Sequence, residues 1–398
     1  MEPPQSASAI PSLEVAANRA MGMGNLRDAA ALWREHLSSS EETVAAWLKL
    51  AACLRGLGEI DQALDAVEAA LCLDPRGFMA LMMKASLLER AGRLREAGPA
   101  YGVALLLAPP EGQLDDPTRR ALAHGRDVNR TYGAELSDFL HSQVNGAAET
   151  TGEAKRVGAF IDHLLGRRKI YRQEPVGYFY PGLPAIEFWE RDAFPWLGEL
   201  EAATPAILSE LAGVMQGGSD EFTPYISYPE SAPLDQWAEL NQSRRWGGFH
   251  LLADGRRVEE NCVRCPQTMA ALARIPQPQT PNRSPSAMFS ALEPRTHIPA
   301  HTGVSNTRLV AHLPLIVPEG CRFRVGNETR TYRDAEAWVF DDTIEHEAWN
   351  DSDAVRIILL FDVWNPLLSP WEREMIAAVS GALDAFNGAD GRAADPTG

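Results

Sequence analysis

The sequence of 398 residues predicts a multidomain α plus β protein, in which an N-terminal helical repeat array precedes an antiparallel β barrel or jelly roll. Small residues recur every 34 positions in the N-terminal quarter. After about residue 170 the chain is rich in aromatic residues, Pro and Gly, and short β-type runs follow one another. We expect helical repeats over 12–125, a helical bridge over 126–172, a β domain over 173–385 and a disordered tail over 386–398.

The composition indicates an acidic protein of a reducing compartment. Lys plus Arg number 37 against 54 Asp plus Glu, and the formal charge of −17 disfavours nucleic acid or an anionic membrane as the main partner. We find neither a signal-peptide pattern nor a run of about 18 apolar residues. Five cysteines suit ordinary thiols better than a disulfide framework. A cytoplasmic protein without stable membrane association is expected.

The N-terminal repeat is defined by glycines and alanines at a constant step. One set of glycines and two sets of alanines keep the 34-residue spacing: Gly24, Gly58, Gly92; Ala17, Ala51, Ala85; Ala29, Ala63, Ala97. Alanine suits places where two helices approach closely, and glycine suits the turn between them. The pattern resembles tetratricopeptide repeats over about 12–110, although an ordinary helical bundle is the alternative. Such arrays usually present a groove to a peptide or protein.

The β domain is predicted from five short runs separated by turn residues. The runs are "SAMFSAL", "RLVAHLPLIV", "CRFRVG", "AWVFDD" and "VRIILLFDVW", and the separators include "PEG", "GNETR" and "NDSD". Strands at this spacing favour an antiparallel barrel or jelly roll. The preceding "ARIPQPQTPNRSPSA" is too rich in Pro to form a central strand. A functional site is therefore expected inside the mouth of a barrel.

Two histidines of this block are candidate metal ligands. His301 precedes a strand and begins "HTG", whereas one large class of iron(II) oxygenases has His-x-Asp or His-x-Glu at such a place. His346 follows another strand 45 residues later, a separation that can bring two strand ends together in a jelly roll. A broken oxygenase, a coincidental histidine and a metal site with two histidines all fit this pattern.

An arginine inside the last apolar run requires an anion. Arg356 lies in "VRIILLFDV", and burying its charge is costly unless it meets a negative group. Its planar fork suits a carboxylate. A dicarboxylic cosubstrate that also chelates a metal would provide one. An internal salt bridge to Asp341, Asp342 or Glu345 is the equally ranked alternative.

The C-terminal half resembles a known enzyme family. The run "HTGVSNTRLVAHLPLIVPEGCRFRVGNETRTYRDAEAWVFDDTIEHEAWNDSDAVRIILLFDVWNP" is closely similar to the aspartyl/asparaginyl β-hydroxylases, and "FYPGLP", "RRWGGFHLLADGRRVEENCVRCPQT" and "FSALEPRTHIPAHTG" extend the resemblance over roughly 175–375. It implies a double-stranded β-helix with Fe(II), 2-oxoglutarate as cosubstrate and O2. In this family glycine takes the place of the missing acid, and two histidines hold the iron.

The resemblance also implies roles for individual residues. His301 and His346 would be the iron ligands. Arg356 would pair with the distal carboxylate of 2-oxoglutarate, with Ser290 beside it. Trp246, from "RRWGGF", matches a tryptophan that contacts the cosubstrate.

One position departs from the family pattern. Strand alternation places Arg308, Val310 and His312 on one face of their strand. The resemblance implies that His312 lies near the carboxylate at the metal. A family arginine two residues earlier is Val310 here, and Arg308, Arg322 or Arg324 could replace its charge.

The leading functional hypothesis is hydroxylation of the β-carbon of an Asp or Asn residue in a peptide or protein that the repeats help to bind. A free amino acid, a peptide natural product or a lipid acyl chain is the alternative substrate. From a different class, the protein could be a catalytically inactive scaffold in which the repeats bind a partner.

Overall fold

A computed structural model describes residues 12–144, 152–229 and 231–388. The chain divides into two compact units, Met1–Leu165 and Gly166–Gly398. The first is helical and the second is built on antiparallel sheets, so the predicted fold class is confirmed. From residue 389 onward the predicted disordered tail lies outside the described residues.

The first unit is an array of helices in which each packs against the next in the chain. Its described α-helices are α1 Leu13–Gly22, α2 Leu26–Ser39, α3 Val44–Leu57, α4 Ile60–Leu73, α5 Phe78–Arg90, α6 Leu94–Leu106, α7 Asp116–Val144 and α8 Gly152–Leu164. The first six form three helical hairpins joined by short loops. Helix α7 continues through the expected boundary at 125–126.

The repeated small residues occupy the positions that the periodicity predicts. Gly24, Gly58 and Gly92 have φ angles of 78°, 80° and 74°, a left-handed conformation that favours glycine, and each follows the first helix of a hairpin. All six repeated alanines are fully buried: Ala17, Ala29, Ala51, Ala63, Ala85 and Ala97. The tetratricopeptide-like organisation is therefore confirmed by backbone conformation and by packing.

The second unit contains two antiparallel sheets. Its strands are β1 Thr223–Pro224, β2 Trp246–Ala253, β3 Arg256–Arg257, β4 Ala287–Leu292, β5 Thr296–His301, β6 Arg308–Ile316, β7 Cys321–Val325, β8 Glu328–Thr331, β9 Trp338–Phe340, β10 His346–Asn350 and β11 Arg356–Trp364. Its α-helices are α9 Leu197–Ala202, α10 Thr204–Met215, α11 Glu259–Cys262, α12 Pro266–Leu272 and α13 Pro370–Asn387. One sheet has the order β1-β2-β4-β11-β6-β9, with β3 on β2, and the other has the order β5-β10-β7-β8.

Strand β5 corrects one expectation from the sequence. His301 does not merely precede a strand, because it is the last residue of β5. This strand is not among the five β runs predicted from the sequence. Strand β5 tolerates Pro299 because it lies at a sheet edge and pairs only with β10.

The large sheet has two different faces. Phe289 and Leu359 point into a core with α9, α10 and α12. The alternate residues, such as Ser290 and Ile358, point the other way into a cavity. Apolar residues of both sheets share a second core on that side. The cavity therefore opens between the sheets, as expected for a barrel mouth.

Two expectations from the composition concern thiols and membranes. All five cysteines are free thiols, and only Cys72 is exposed. Among the helices in the described ranges, none combines the length and apolar character needed to cross a bilayer.

Candidate active site

The centre of the site is a pair of histidines on adjacent strands. His301 ends β5 and His346 begins β10, and the two residues are direct cross-strand partners. Their ring centroids lie 4.1 Å apart. The antiparallel register therefore brings together two residues that are 45 positions apart in the sequence.

Hydrogen bonds orient both imidazole rings. His301 Nδ1 lies 2.7 Å from the Pro299 carbonyl, and His346 Nδ1 lies 3.0 Å from the Ile344 carbonyl. A carbonyl accepts only, so each Nδ1 donates and each Nε2 keeps a lone pair. Burial lowers the pKa of His301 to about 3 and that of His346 to about 4. Two neutral imidazoles with defined tautomers are suitable ligands for a divalent metal.

The acid nearest to Gly303 is bound to an arginine. The carboxylate of Asp342 fills the space beside Gly303, and Arg308 Nη1 pairs with Asp342 Oδ2 at 3.0 Å. The Gly303 amide donates to the Asp342 carbonyl at 2.6 Å. In the described part of the chain, no cluster of three or more His, Cys, Asp or Glu side chains could hold a metal ion. Within the described ranges, the paired histidines therefore have no third such side chain beside them.

Arg356 is a buried cation that faces the same cavity. Its side chain is only 2% exposed, and its Nη1 donates to Tyr332 Oη at 3.2 Å. Its Nε has no hydrogen-bond partner. No described carboxylate forms an ion pair with it. The alternative of an internal salt bridge is disfavoured, because the three acids considered for it bind elsewhere: Asp341 to Thr343 and Gln173, Asp342 to Arg308, and Glu345 to Arg324.

Aromatic and hydroxyl groups complete the floor of the cavity. Trp246 Nε1 donates to Ser290 Oγ at 3.2 Å, which joins β2 to β4 inside the site. The Trp246 ring stacks on Tyr225 at a centroid distance of 4.1 Å. Trp237 meets His301 edge to face at 5.1 Å. These contacts fix the tryptophan and the serine, for which the resemblance implies a place beside a cosubstrate.

The strand β6 brings a neutral histidine and one arginine to the cavity. Burial and the nearby Arg356 charge hold the pKa of His312 well below its usual value. Val310 lies between His312 and Arg308 on the same face, and all three line the cavity. Of the three arginines considered as replacements at this position, only Arg308 lines it. Arg322 pairs with Asp351, and Arg324 pairs with two glutamates of the small sheet.

The cavity itself is large, with a volume of about 1540 Å³. The paired histidines, Arg356, Ser290 and Trp246 all line it, so it collects every site residue expected from the sequence. Tyr332, which holds Arg356, was missed, as were Tyr225, which stacks on Trp246, and Trp237, which meets His301 edge to face. They lie in loops or beside short strands, where no periodic pattern marks an inward-facing side chain.

Comparisons with known proteins identify the family of this chain. A model of the family described as aspartyl/asparaginyl beta-hydroxylase matches residues 201–366. The Xenopus tropicalis aspartate beta-hydroxylase domain-containing protein 2 is 30% identical over 83% of this chain and 86% of its own length. The chain belongs to the aspartyl/asparaginyl β-hydroxylase family. The family match ends before α13, which begins at Pro370.

Two further relatives of this family member have names that describe different hydroxylases. An ornithine lipid ester-linked acyl 2-hydroxylase of Rhizobium tropici is 38% identical over 50% of this chain and 67% of its own length. The human aspartyl/asparaginyl beta-hydroxylase is 30% identical over 62% of this chain. The chain spans about a third of the length of that human relative and of its mouse counterpart.

A solved structure resembles the helical part of this family member. It is the Yersinia enterocolitica type III secretion chaperone SycD in complex with a peptide of the translocator YopD. The match covers 33% of this chain and 97% of that chain, at 17% identity and a TM-score of 0.29.

Proposed function

We propose that this protein is an iron(II)- and 2-oxoglutarate-dependent oxygenase that hydroxylates the β-carbon of an Asp or Asn residue in a peptide or protein. The observation that carries the proposal is the buried guanidinium of Arg356, which has an unsatisfied Nε and faces the cavity of His301 and His346. A buried cation without a carboxylate partner indicates an anionic ligand. A dicarboxylate that also binds a metal could pair with Arg356 through one carboxylate and bind the metal held by the two histidines through the other.

The residues present fit the iron. His301 and His346 would hold it through Nε2, because each Nδ1 already faces a backbone carbonyl. Bound iron(II), 2-oxoglutarate and O2 would together supply the oxidising chemistry that converts the cosubstrate to succinate and carbon dioxide and inserts oxygen into a C–H bond. With only two protein ligands, more coordination positions remain for the cosubstrate and O2.

The residues present also fit the cosubstrate. Arg356 would bind its distal carboxylate through two N–H groups, and Ser290 would add a hydrogen bond. Trp246 would form a wall, because its donor is already used by Ser290. A neutral His312 can donate to the other carboxylate. Arg308 adds positive charge on that side, although Asp342 shares it.

For the peptide or protein substrate, we propose that the helical repeats help to bind it. Arrays of stacked helical hairpins present extended concave surfaces. The three confirmed hairpins of α1–α6 support this role. We further propose a cytoplasmic location, which the free thiols support.

Hydroxylation of a lipid acyl chain is a second candidate, favoured by a specific observation. Arg283 and Arg308, both at the cavity, already pair with carboxylates, which leaves neither free for an acidic substrate residue. The cavity wall at position 310 is a valine. The Rhizobium relative named as an acyl hydroxylase supports this alternative.

The test is an anaerobic titration of metal-free protein with iron(II) and then 2-oxoglutarate. The weak visible charge-transfer band of the chelated metal is the readout. We expect the band in the wild type, its loss in His346→Ala and Arg356→Met, and its retention in Arg322→Met. Arg322 is a matched control because it lies on the small sheet outside the cavity. A folded wild type without the band would refute the oxygenase. If the band appears, succinate formation with Asn or Asp peptides is compared with succinate formation with acylated lipids. The comparison distinguishes the two candidate substrate classes.

A further inference from the structure

Helix α13 forms one wall of the cavity, although it lies beyond the residues that the family model matches. Its cavity-lining apolar residues are Trp371, Met375, Ile376, Val379 and Leu383. Apart from the adjacent pair Met375 and Ile376, they recur at steps of three and four, which places them on one face of the helix. We call these five residues the α13 stripe.

Three of the five residues of the α13 stripe are exposed despite their apolar character, and Met375 and Ile376 are half-buried. Trp371 is 66% exposed, Val379 is 68% exposed and Leu383 is 39% exposed. A contiguous exposed apolar patch marks an interaction site more often than an isolated apolar residue does. The stripe also continues into the cavity that holds the paired histidines. A molecule that reaches the histidines would therefore lie against the stripe.

Polar contacts fix the helix on this wall. Tyr180 Oη donates to Glu372 at 2.8 Å near the beginning of α13. Arg283 pairs with Asp384 at 2.8 Å and 2.9 Å near its end, and Asn282 donates to the same carboxylate at 3.0 Å. The stripe is thus a preformed surface between two anchored points. The three charged groups that anchor it are already engaged, Glu372 by Tyr180 and Asp384 by Arg283.

We propose that the α13 stripe binds apolar side chains of a peptide substrate that flank the hydroxylated residue. The proposal rests on the proposed function, because it uses the same cavity. A peptide fits better than an acyl chain because hydroxyl groups such as those of Ser286 and Thr302 also line the cavity. A peptide backbone can satisfy these groups, whereas a methylene chain would desolvate them. The charges of Arg283 and Asp384 are paired with each other, so neither offers a free partner to an ionic segment.

The test measures binding, separately from turnover. The probes are immobilised peptides with one central Asn in a Gly/Ser background, carrying either Leu or Ser at the flanking positions. The full chain should bind the Leu peptides about tenfold more tightly than the Ser peptides, since each buried Leu adds apolar contact area. Val379→Asp should abolish this preference. Phe386→Asp is the matched control, because Phe386 is 89% exposed on the same helix and does not line the cavity.

Four results would overturn the proposal. Equal affinity for both peptide sets is one, and equal loss of the preference in both variants is another. Tighter binding of a saturated acyl chain on a neutral headgroup, without discrimination between peptides, would make the ligand a lipid. If Val379→Asp converts a dimer to a monomer in sedimentation, a second copy covers the stripe and the proposal also fails.

The iron and 2-oxoglutarate band distinguishes failure of this proposal from failure of the proposed function. Both α13 variants should retain the band, which also shows that they are folded. A band without peptide discrimination refutes only the role of α13. Peptide discrimination without a band refutes the oxygenase and leaves the binding surface established.

Discussion

The carboxylate of Asp342 occupies the space into which a side chain at Gly303 would project. A Cβ built on Gly303 would overlap the Asp342 carboxylate. Asp342 is 5% exposed and is held by Arg308, so it has little freedom to move away. The glycine in "HTG" is therefore required by packing in this chain. An acid added at position 303 would collide with Asp342 before it could reach a metal.

We predict that Gly303→Ala destabilises the protein by about 1–3 kcal/mol, the usual cost of overpacking. The free energy of unfolding in urea measures it. Gly213→Ala is the control, since no atom lies within 4 Å of a Cβ at that position of α10. Removing the obstructing carboxylate should lessen the effect, so Gly303→Ala should cost less in an Asp342→Ala background. Strict additivity of the two changes would contradict the steric explanation.

Replacing Arg356 should separate stability from ligand binding. Arg356→Met keeps most of the volume and removes a buried charge that lacks a carboxylate partner, so the unliganded protein should be as stable as the wild type or more stable. The same change should abolish the stabilisation by 2-oxoglutarate. In the wild type this stabilisation should reach about 2.7 kcal/mol when the ligand is at 100 times its Kd.

Thermal unfolding of metal-loaded protein with and without 2-oxoglutarate measures this effect. Arg322→Met should retain the ligand-induced shift, because Arg322 pairs with Asp351 outside the cavity. Equal shifts in the wild type and in Arg356→Met would mean that another group binds the cosubstrate.

Much of the fold could be predicted because its signals are local and periodic. The 34-residue spacing of Gly24, Gly58 and Gly92 directly reflects a left-handed turn in each repeat. Alternation in the runs of β6 and β11 predicts which residues face inward, since side chains of a strand alternate between its faces. The runs themselves correspond to β4, β6, β7, β9 and β11.

Other parts of the site depend on contacts that spacing alone does not reveal. Tyr332 reaches Arg356 from the loop after β8, and 24 residues separate them. The pairing of Arg308 with Asp342 requires the ends of β6 and β9 to meet. The position of α13 at the cavity wall depends on the path that the chain takes after β11. In each case the relevant distance is tertiary, and no local propensity encodes it.

The stability of the metal-free protein should depend on pH through His346. Burial lowers the folded pKa of His346 to about 4, whereas an unfolded histidine titrates near ~6.5. Between these values only the unfolded state takes up the proton, so this contribution to stability is lost as the pH falls from about 6.5 to about 4. His346→Gln should therefore reduce the slope of the free energy of unfolding against pH, by up to about 1.4 kcal/mol per pH unit.

Urea unfolding with a chelator present, at a series of pH values, measures the two slopes. Asp341 acts in the opposite sense, because burial raises its pKa to about 6 and its contribution is lost as the pH rises. Asp341 is present in both the wild type and His346→Gln, so its contribution to the free energy of unfolding cancels when the two slopes are compared. Parallel curves for the wild type and His346→Gln would contradict a buried neutral His346.

The helical repeats should respond differently to two glycine substitutions. Gly58 has a φ of 80° after α3, and an alanine in this conformation costs about 1 kcal/mol or more. Gly133 lies inside α7 with no atom within 4 Å of a built Cβ, so Gly133→Ala should stabilise that helix by up to about 1 kcal/mol. Chemical unfolding followed by the helical circular dichroism signal compares the two variants. If Gly58→Ala were as stable as Gly133→Ala, the left-handed turn would not be needed to close the hairpin of α3 and α4.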